Sequence, residues 1–177
     1  MDKKTIRQNI RDHKRQFTQQ QLDELSLAVI SKLLEHPRIQ EATTLLLYYS
    51  LPDEVNTHDL VNYLTQQGKK ILLPKVIDGE NMEIREYTGP QDLQMGSYNI
   101  LEPTGQLFID YGAIEVAVVP GMSFDTHCNR LGRGKGYYDR FLVKIPQAYK
   151  IGVCFDFQKL ESIPTGEYDL PMNEVIS

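Results

Sequence analysis

The feature that most constrains the fold of this chain is an apolar segment followed by a helical segment and a second apolar segment. The first, Thr44–Ser50, is a continuous apolar run typical of a strand that is buried on both faces. The helical segment carries Leu60, Val61 and Leu64 on one face, and Ile71–Val76 is the second apolar segment. A strand, a helix and a strand within about thirty residues form a βαβ unit, so a parallel sheet flanked by helices is predicted.

Two helices are predicted before this unit. The first spans Asp2–Phe17, and Thr18 begins the second because Gln21 completes a capping-box pattern. Pro37 is expected to end the second helix. The buried face of the first helix is predicted to comprise Ile6, Ile10, His13 and Phe17. That of the second is predicted to comprise Leu22, Leu25, Val29 and Leu33.

Later segments extend the sheet. Glu83–Tyr87 is a weaker strand, and Val116–Val119 and Tyr149–Phe155 are further strands, whereas Thr88–Gly112 is predicted to be mostly loop. We therefore expect a single domain over residues 1–177, a three-layer Rossmann-like α/β domain with a mainly parallel sheet flanked by helices. Ligands of such sheets bind at the carboxyl ends of the strands.

Composition excludes several classes of protein. With 19 Lys and Arg against 24 Asp and Glu, the net charge is −5, which argues against a protein whose whole surface binds nucleic acid. No apolar run approaches the ~20 residues of a membrane helix, and the N-terminus lacks the apolar core of a secretion signal. The two cysteines, Cys128 and Cys154, have no zinc-ligand spacing. A cytoplasmic protein with reduced thiols is expected.

The strongest chemical signal is a glycine-rich basic segment, Asn129-Arg-Leu-Gly-Arg-Gly-Lys-Gly-Tyr-Tyr-Asp-Arg140. Residues 130–140 contain four basic residues and one acidic residue. Glycines let a backbone approach an anion closely, a following helix offers unpaired N–H groups, and Arg and Lys add charge-assisted hydrogen bonds. The segment therefore predicts a polyphosphate site.

This segment matches neither common nucleotide fingerprint. Gly136 follows Lys135 where a Walker A motif has Ser or Thr, and Tyr137 replaces the third Gly of the dinucleotide motif. A solvated, flexible basic loop is the alternative interpretation. Tyr137, Tyr138 and Asp139 favour a ligand site, because aromatic rings stack on heterocycles and carboxylates bind Mg²⁺.

The segment Asn129–Asp139, with Pro120-Gly121 and Phe124-Asp125 before it, closely resembles the 5-formyltetrahydrofolate cyclo-ligases, also called 5,10-methenyltetrahydrofolate synthetases. The resemblance extends over nearly the whole chain. Weaker matches follow in the family's order: Lys3–Arg7, Asp53-Glu54, Glu102-Pro103, Asp169 and Asn173–Val175. It implies an enzyme that uses ATP and Mg²⁺ to convert 5-formyltetrahydrofolate into 5,10-methenyltetrahydrofolate, ADP and phosphate.

The resemblance also implies the site residues. The ATP contacts map onto Lys3, Lys4, Arg7, Arg130, Leu131, Gly132, Arg133, Gly134, Lys135, Gly136, Tyr137 and Tyr138. The folate contacts map onto Tyr49, Glu54 and Tyr137, and the metal-linked carboxylates map onto Asp139 and Asp169. Lys135 and Arg133 are expected to be catalytic, because phosphoryl transfer to the formyl oxygen needs positioning and charge neutralisation.

Several of these positions also have a structural interpretation. Lys3 and Arg7 lie four residues apart, so both side chains can reach one ligand from the same helix face. In the alternative interpretation, both side chains are solvated. Tyr49 is a ligand contact or a core residue at the end of a strand. Glu54 binds the donor edge of a pterin or lies at the approach to a helix, and Asp169 is a metal ligand or an ordinary loop acid.

Three positions depart from the family pattern. Cys128 and Asn99 occupy positions where Gly is common, and Asn173 replaces a frequent Asp. Asn tolerates the left-handed conformation, so Asn99 changes little, whereas Cys128 is expected to alter the loop backbone locally. Asn173 weakens any direct metal role at that position.

Two other functions remain as alternatives. A regulatory domain that binds a sugar phosphate or nucleotide needs the basic loop but neither Asp139 nor Glu54. A nucleic-acid binder would use the loop and residues 1–15, which contain six basic and two acidic residues. The resemblance instead implies small-molecule substrates, no nucleic acid or membrane, and a monomer. His127 and Cys128 are adjacent, which rarely provides the geometry of a Cys/His nucleophile.

Overall fold

A computed structural model describes residues 1–177, which form five helices and twelve strands. The helices are α1 (Lys3–Lys14), α2 (Gln19–Glu35), α3 (Pro37–Glu41), α4 (His58–Gln66) and α5 (Tyr137–Leu142). The strands are β1 (Thr44–Leu46), β2 (Lys70–Val76), β3 (Met82–Tyr87), β4 (Leu93–Met95), β5 (Leu101–Pro103), β6 (Leu107–Phe108), β7 (Val116–Pro120), β8 (Ser123–Asp125), β9 (Arg130–Leu131), β10 (Tyr149–Val153), β11 (Lys159–Leu160) and β12 (Glu174–Ile176). None of the helices is long and apolar enough to cross a bilayer.

Seven strands form one large sheet in the order β12-β10-β7-β1-β2-β3-β6. The strands from β12 to β2 are parallel to one another, whereas β3 pairs antiparallel with β2 and with β6. In the predicted βαβ unit, Leu45 of β1 lies opposite Ile71 of β2. The predicted fold class, an α/β domain with a mainly parallel sheet flanked by helices, is therefore confirmed.

Helices cover both faces of this sheet. Leu33 of α2 and Leu60 of α4 belong to the core cluster on one face, and Leu142 of α5 belongs to the cluster on the other. Within β1, Leu45 faces the first cluster and Leu46 the second, because successive side chains of a strand point to opposite faces. Burial on both sides explains why this segment is continuously apolar.

The predicted start of the second helix is confirmed in detail. The Gln21 N–H donates to the Thr18 hydroxyl at 3.1 Å, and the Thr18 N–H donates to the Gln21 side-chain oxygen at 2.8 Å. Helix α2 ends at Glu35, and Pro37 occupies the first turn of α3. Pro37 thus ends one helix, as predicted, and also begins another.

Both predicted helix faces need correction. In α1 the buried residues are Ile6, Ile10 and Lys14, whereas His13 is exposed. In α2, Leu25 is 44% exposed and Ser26 is buried in its place. The Ser26 hydroxyl donates to the Leu22 carbonyl and accepts from the Asn56 N–H, so hydrogen bonds compensate for its burial.

The region 88–112 was predicted to be mostly loop, and it also contains three short strands, which were not predicted. Strands β4 and β5 form an antiparallel hairpin in which Leu93 pairs with Pro103, and β6 adds an edge strand to the large sheet. These strands have two or three residues each, so they are too short to produce a recognisable alternation of apolar and polar residues.

Candidate active site

One cavity of about 500 Å³ opens at the carboxyl ends of β1, β2 and β7, three neighbouring parallel strands. Its walls include Tyr48 and Tyr49 after β1, Lys75 at the end of β2, and Pro120 and Gly121 at the end of β7. Ligands of open α/β sheets bind at this edge, and the volume is typical of a small-molecule site.

The cavity brings together nearly all the predicted site residues from four separate parts of the chain. Those that line it are Lys3, Arg7, Tyr49, Glu54, Arg130, Leu131, Gly132, Arg133, Gly134, Lys135, Gly136, Tyr137, Tyr138, Asp139 and Asp169. Lys4 is the exception and is exposed outside the cavity. Its side chain points about 100° away from that of Lys3 around α1, so the cavity gives no support to Lys4 as an ATP contact, which stays a prediction.

Residues 132–136, the glycine loop, connect β9 to α5 along the cavity wall. Gly134 and Gly136 have φ values of +112° and +72°, a region that side-chain-bearing residues rarely adopt. A Cβ atom on Gly136 would lie 2.7 Å from Nη1 of Arg140. Both glycines are therefore required by the backbone path of the loop.

Hydrogen bonds fix the backbone of the glycine loop from two sides. Nε of Arg7 donates to the Gly132 carbonyl at 2.8 Å. On the other side, Arg140 donates from Nη2 to the Lys135 carbonyl and from Nε to the Glu80 carbonyl, each at 2.7 Å. The Lys135 side chain is exposed to the cavity and forms no ion pair with a carboxylate. These contacts favour a formed anion site over a flexible solvated loop.

Arg130 is a buried cation behind the glycine loop. Its Nε donates to the Pro120 carbonyl at 2.7 Å, and its Nη1 lies 4.0 Å from Oδ1 of Asp139. Its guanidinium carbon lies 5.0 Å from the centre of the Tyr138 ring. Burial lowers the pKa of Arg130, while Asp139 opposes that shift. Arg130 thus links the end of β7 to the start of α5.

The two carboxylates predicted to be metal-linked are each held by protein groups. Asp139 accepts from the Leu170 N–H at 3.3 Å, and Asp169 accepts from the Lys3 ammonium and from the Gly166 N–H. Burial alone would raise the pKa of Asp169, but the hydrogen bond from Lys3 holds it below its usual value. The chain gathers no group of three or more metal-binding side chains. Two carboxylates still suit Mg²⁺, which binds few protein groups and takes its other ligands from phosphates and water.

Two of the predicted folate residues, Tyr49 and Glu54, enter the cavity from the segment after β1. Oε1 of Glu54 accepts from the Leu51 N–H at 2.8 Å, and Oε2 lies 3.5 Å from Nη2 of Arg133. Burial raises the pKa of Glu54 although Arg133 opposes the shift. The Tyr49 ring stacks on His58 with ring centres 3.8 Å apart, so it packs on the core and also lines the cavity.

Comparison with known protein families shows to which family this chain belongs. The sequence profile of the 5-formyltetrahydrofolate cyclo-ligase family matches residues 1–177. The chain belongs to this family. It is therefore an enzyme of the cyclo-ligase family, which confirms the resemblance on which the site residues were predicted.

Individual cyclo-ligases support the same conclusion. The 5-formyltetrahydrofolate cyclo-ligase of Escherichia coli strain K12 is 29% identical, with 95% of this chain and 96% of the relative covered. That of Mus musculus is 27% identical, with 98% and 92% covered. The structure of Aquifex aeolicus 5,10-methenyltetrahydrofolate synthetase is similar with a TM-score of 0.86 and 30% identity, covering 99% of this chain and 89% of that one.

Several residues that line or support the cavity were not predicted from the sequence as site residues. Lys75 and Tyr48 lie at the ends of buried strands, a position that could have identified them. Glu102 enters the cavity from the β4–β5 hairpin, whose tip residue Tyr98 is 94% exposed. Arg140 positions the glycine loop through its backbone contacts, a role that no sequence pattern indicates.

Proposed function

We propose that this enzyme converts 5-formyltetrahydrofolate into 5,10-methenyltetrahydrofolate with ATP and releases ADP and phosphate. The observation that carries the proposal is the convergence of the glycine loop, two carboxylates and Glu54 in one cavity of a cyclo-ligase fold. We further propose that the chain acts as a single domain over residues 1–177 and as a cytoplasmic monomer on small molecules.

The cations of the cavity support binding of the ATP triphosphate. Lys135 is free of carboxylate partners, and Lys3, Arg7 and Arg133 line the same space. Phosphoryl transfer depends mainly on positioning and on neutralising charge at the transferred group, which these side chains supply. Because Lys3 and Arg7 point into the cavity, the nucleic-acid alternative loses part of its proposed basic surface.

The proposed reaction has two steps. The formyl oxygen attacks the γ-phosphorus of ATP, the bond from this phosphorus to the bridging oxygen breaks, and ADP leaves an iminium phosphate behind. The N10 amine of the same folate then attacks the formyl carbon and loses its proton, and the carbon–oxygen bond breaks as phosphate departs. Because N10 belongs to the substrate, the second step is intramolecular and benefits from proximity. No nucleophilic side chain is needed.

The folate is proposed to bind beside the triphosphate. The Glu54 carboxylate accepts hydrogen bonds from the N–H groups of the pterin, and Tyr49 and Tyr137 offer aromatic surfaces to its ring. Asp139 and Asp169 would hold a magnesium ion together with phosphate oxygens. The ion would supply further positive charge to the phosphates when it is bound.

The test measures the near-ultraviolet absorbance of the methenyl product. Product is expected only when 5-formyltetrahydrofolate, ATP and Mg²⁺ are all present. Lys135→Ala is expected to lower kcat/KM for ATP by about 10²–10³-fold while the protein stays folded, because charge is lost from the proposed transition state.

Lys144→Ala is the matched control, since this exposed lysine lies beyond α5 and outside the cavity. Product formation without ATP would overturn the proposed mechanism. An unchanged rate in Lys135→Ala would remove Lys135 from it.

A further inference from the structure

Four charged side chains of alternating sign form a chain of contacts at the edge of the cavity. We call Lys14, Asp53, Arg133 and Glu54 the four-charge network. Nζ of Lys14 lies 3.6 Å from Oδ2 of Asp53, and Oδ1 of Asp53 accepts from Nη2 of Arg133 at 3.1 Å. The same Nη2 lies 3.5 Å from Oε2 of Glu54. The formal charges of the network cancel.

Lys14 is the unexpected member of the network. It lies in the last turn of α1 and is only 5% exposed, whereas lysine is almost never buried without a partner. Asp53 is the one carboxylate within 4.0 Å of its ammonium. Burial lowers the pKa of Lys14, and Asp53 opposes that shift. Asp53 therefore offsets part of the cost of burying Lys14.

Asp53 divides its carboxylate between two cations. Burial alone would raise the pKa of Asp53, but Lys14 and Arg133 together hold it below its usual value. Arg133 is 43% exposed and lines the cavity, whereas Lys14 does not line it. The network thus joins Arg133, which can reach a ligand in the cavity, to Lys14, which cannot.

Arg133 contacts both Asp53 and Glu54 through Nη2, so transfer of this atom to a triphosphate oxygen requires its contact with Asp53 to weaken. That exchange leaves a carboxylate near an incoming polyanion, which is unfavourable unless another cation neutralises the carboxylate. Lys14 already contacts the other oxygen of Asp53 and can remain there when Arg133 leaves.

We propose that Lys14 is a positioning residue, which neutralises Asp53 so that Arg133 can pass from this carboxylate to the triphosphate of ATP. The proposal rests on the proposed function, because it needs ATP in the cavity. Without Lys14, Asp53 holds Arg133 more strongly and also repels the phosphates.

The test compares Lys14→Met, Asp53→Asn and the double variant with wild type in the full-length protein. The Kd of MgATP is measured by calorimetry, and thermal unfolding is recorded in parallel. Lys14→Met is expected to bind MgATP about tenfold more weakly, and Lys14→Arg is expected to restore the affinity.

Asp53→Asn is expected to bind at least as tightly as wild type but to unfold at a lower temperature, because Lys14 loses its partner. The double variant is expected to bind within about twofold of wild type.

Arg15→Met is the matched control, since Arg15 follows Lys14 in the chain and its exposed side chain pairs only with Asp12. Wild-type affinity in Lys14→Met would overturn the proposal, and so would a parallel loss of affinity and stability in both single variants. If Lys14→Met fails to fold, weaker binding in Asp53→Asn still overturns it, and equal or tighter binding supports it. Failure of the wild type to bind MgATP would instead overturn the proposed function.

Discussion

Glu54 is a buried carboxyl group at a position where a ligand can contact it. Its side chain is 12% exposed, and burial raises its pKa above the usual value of 4.5, although the Leu51 N–H and Arg133 oppose the shift. Because the pKa is raised in the folded state, the protonated form is favoured by folding. Its contribution to stability is complete below pH 4.5 and is lost as the pH rises through the raised pKa.

Glu54→Gln is expected to remove this pH dependence, because the amide is neutral at every pH. The free energy of unfolding of the variant should therefore rise relative to wild type as the pH rises from 4.5 through the raised pKa. The apparent affinity for 5-formyltetrahydrofolate should fall about tenfold at pH 7, because an amide oxygen accepts hydrogen bonds less strongly than a carboxylate. Urea unfolding at several pH values and a fluorescence titration with folate measure the two effects.

Glu35→Gln is the matched control for this change, since Glu35 is an exposed residue at the end of α2. Glu35→Gln is expected to leave the pH dependence of the free energy of unfolding and the affinity for 5-formyltetrahydrofolate at their wild-type values. The assignment of Glu54 would be wrong if Glu54→Gln bound folate as tightly as the control.

Single residues differ in how well their roles follow from the sequence. Asn99 adopts the left-handed conformation, as expected from its tolerance of that region. Cys128 also lies there, with a φ of 63°, so its backbone is one that suits Gly, and the predicted local change of the loop at Cys128 is not supported. The burial of Lys14 was not predicted, because helical periodicity assigned His13 to the core and cannot show that a lysine has a partner at residue 53. Such a contact depends on tertiary packing.

At the scale of elements, helix α1 connects three segments that are distant in the chain. Ile6 and Ile10 anchor it in a small core cluster. Along the same side of the helix, Lys3 contacts Asp169, Arg7 contacts the Gly132 carbonyl and Lys14 contacts Asp53. The sequence predicted the helix and its apolar stripe, whereas the direction of its basic face toward the cavity came from the family resemblance.

Strand β10 contains a glycine whose place is fixed by packing. A Cβ atom on Gly152 would overlap the Phe124 ring and lie 2.9 Å from its Cζ, and Phe124 is fully buried. Gly152→Ala is therefore expected to lower the free energy of unfolding by about 1–3 kcal/mol in urea unfolding. Gly79→Ala is the control, because a Cβ there meets no atom within 4 Å, and it should change stability by less than about 0.5 kcal/mol. Equal stability of the two variants would contradict this account of the packing.

At the scale of the whole molecule, the charge around the cavity is opposite in sign to the net charge of the chain. The chain carries a net charge of −5, yet the active-site cavity is lined by six basic residues, two of them from α1, against four acidic residues. Clefts with an excess of one sign of charge concentrate oppositely charged ligands. This distribution suits an anionic substrate in the cavity and leaves most of the surface unsuited to nucleic acid.

The architecture was predictable from the sequence to the extent that buried parallel strands contain continuous apolar runs. The strands β1, β2, β7 and β10 were recognised because burial on both faces gives each of them a run of buried, mainly apolar residues. The antiparallel pairing of β3 and the hairpin of β4 and β5 were not predicted, because pairing direction and short exposed strands leave no periodic pattern. The glycine loop was recognised by composition, but its fixation by Arg7 and Arg140 is a tertiary property.

The central claim is that the glycine loop binds the triphosphate whose terminal group is transferred to the formyl oxygen. A crystal structure with a non-hydrolysable ATP analogue and 5-formyltetrahydrofolate tests it most directly. Phosphate oxygens are expected within hydrogen-bond distance of the Lys135 ammonium and of the Gly134 and Gly136 N–H groups, with the formyl oxygen facing the γ-phosphorus. A triphosphate bound elsewhere, with Lys135 still pointing into solvent, would contradict it.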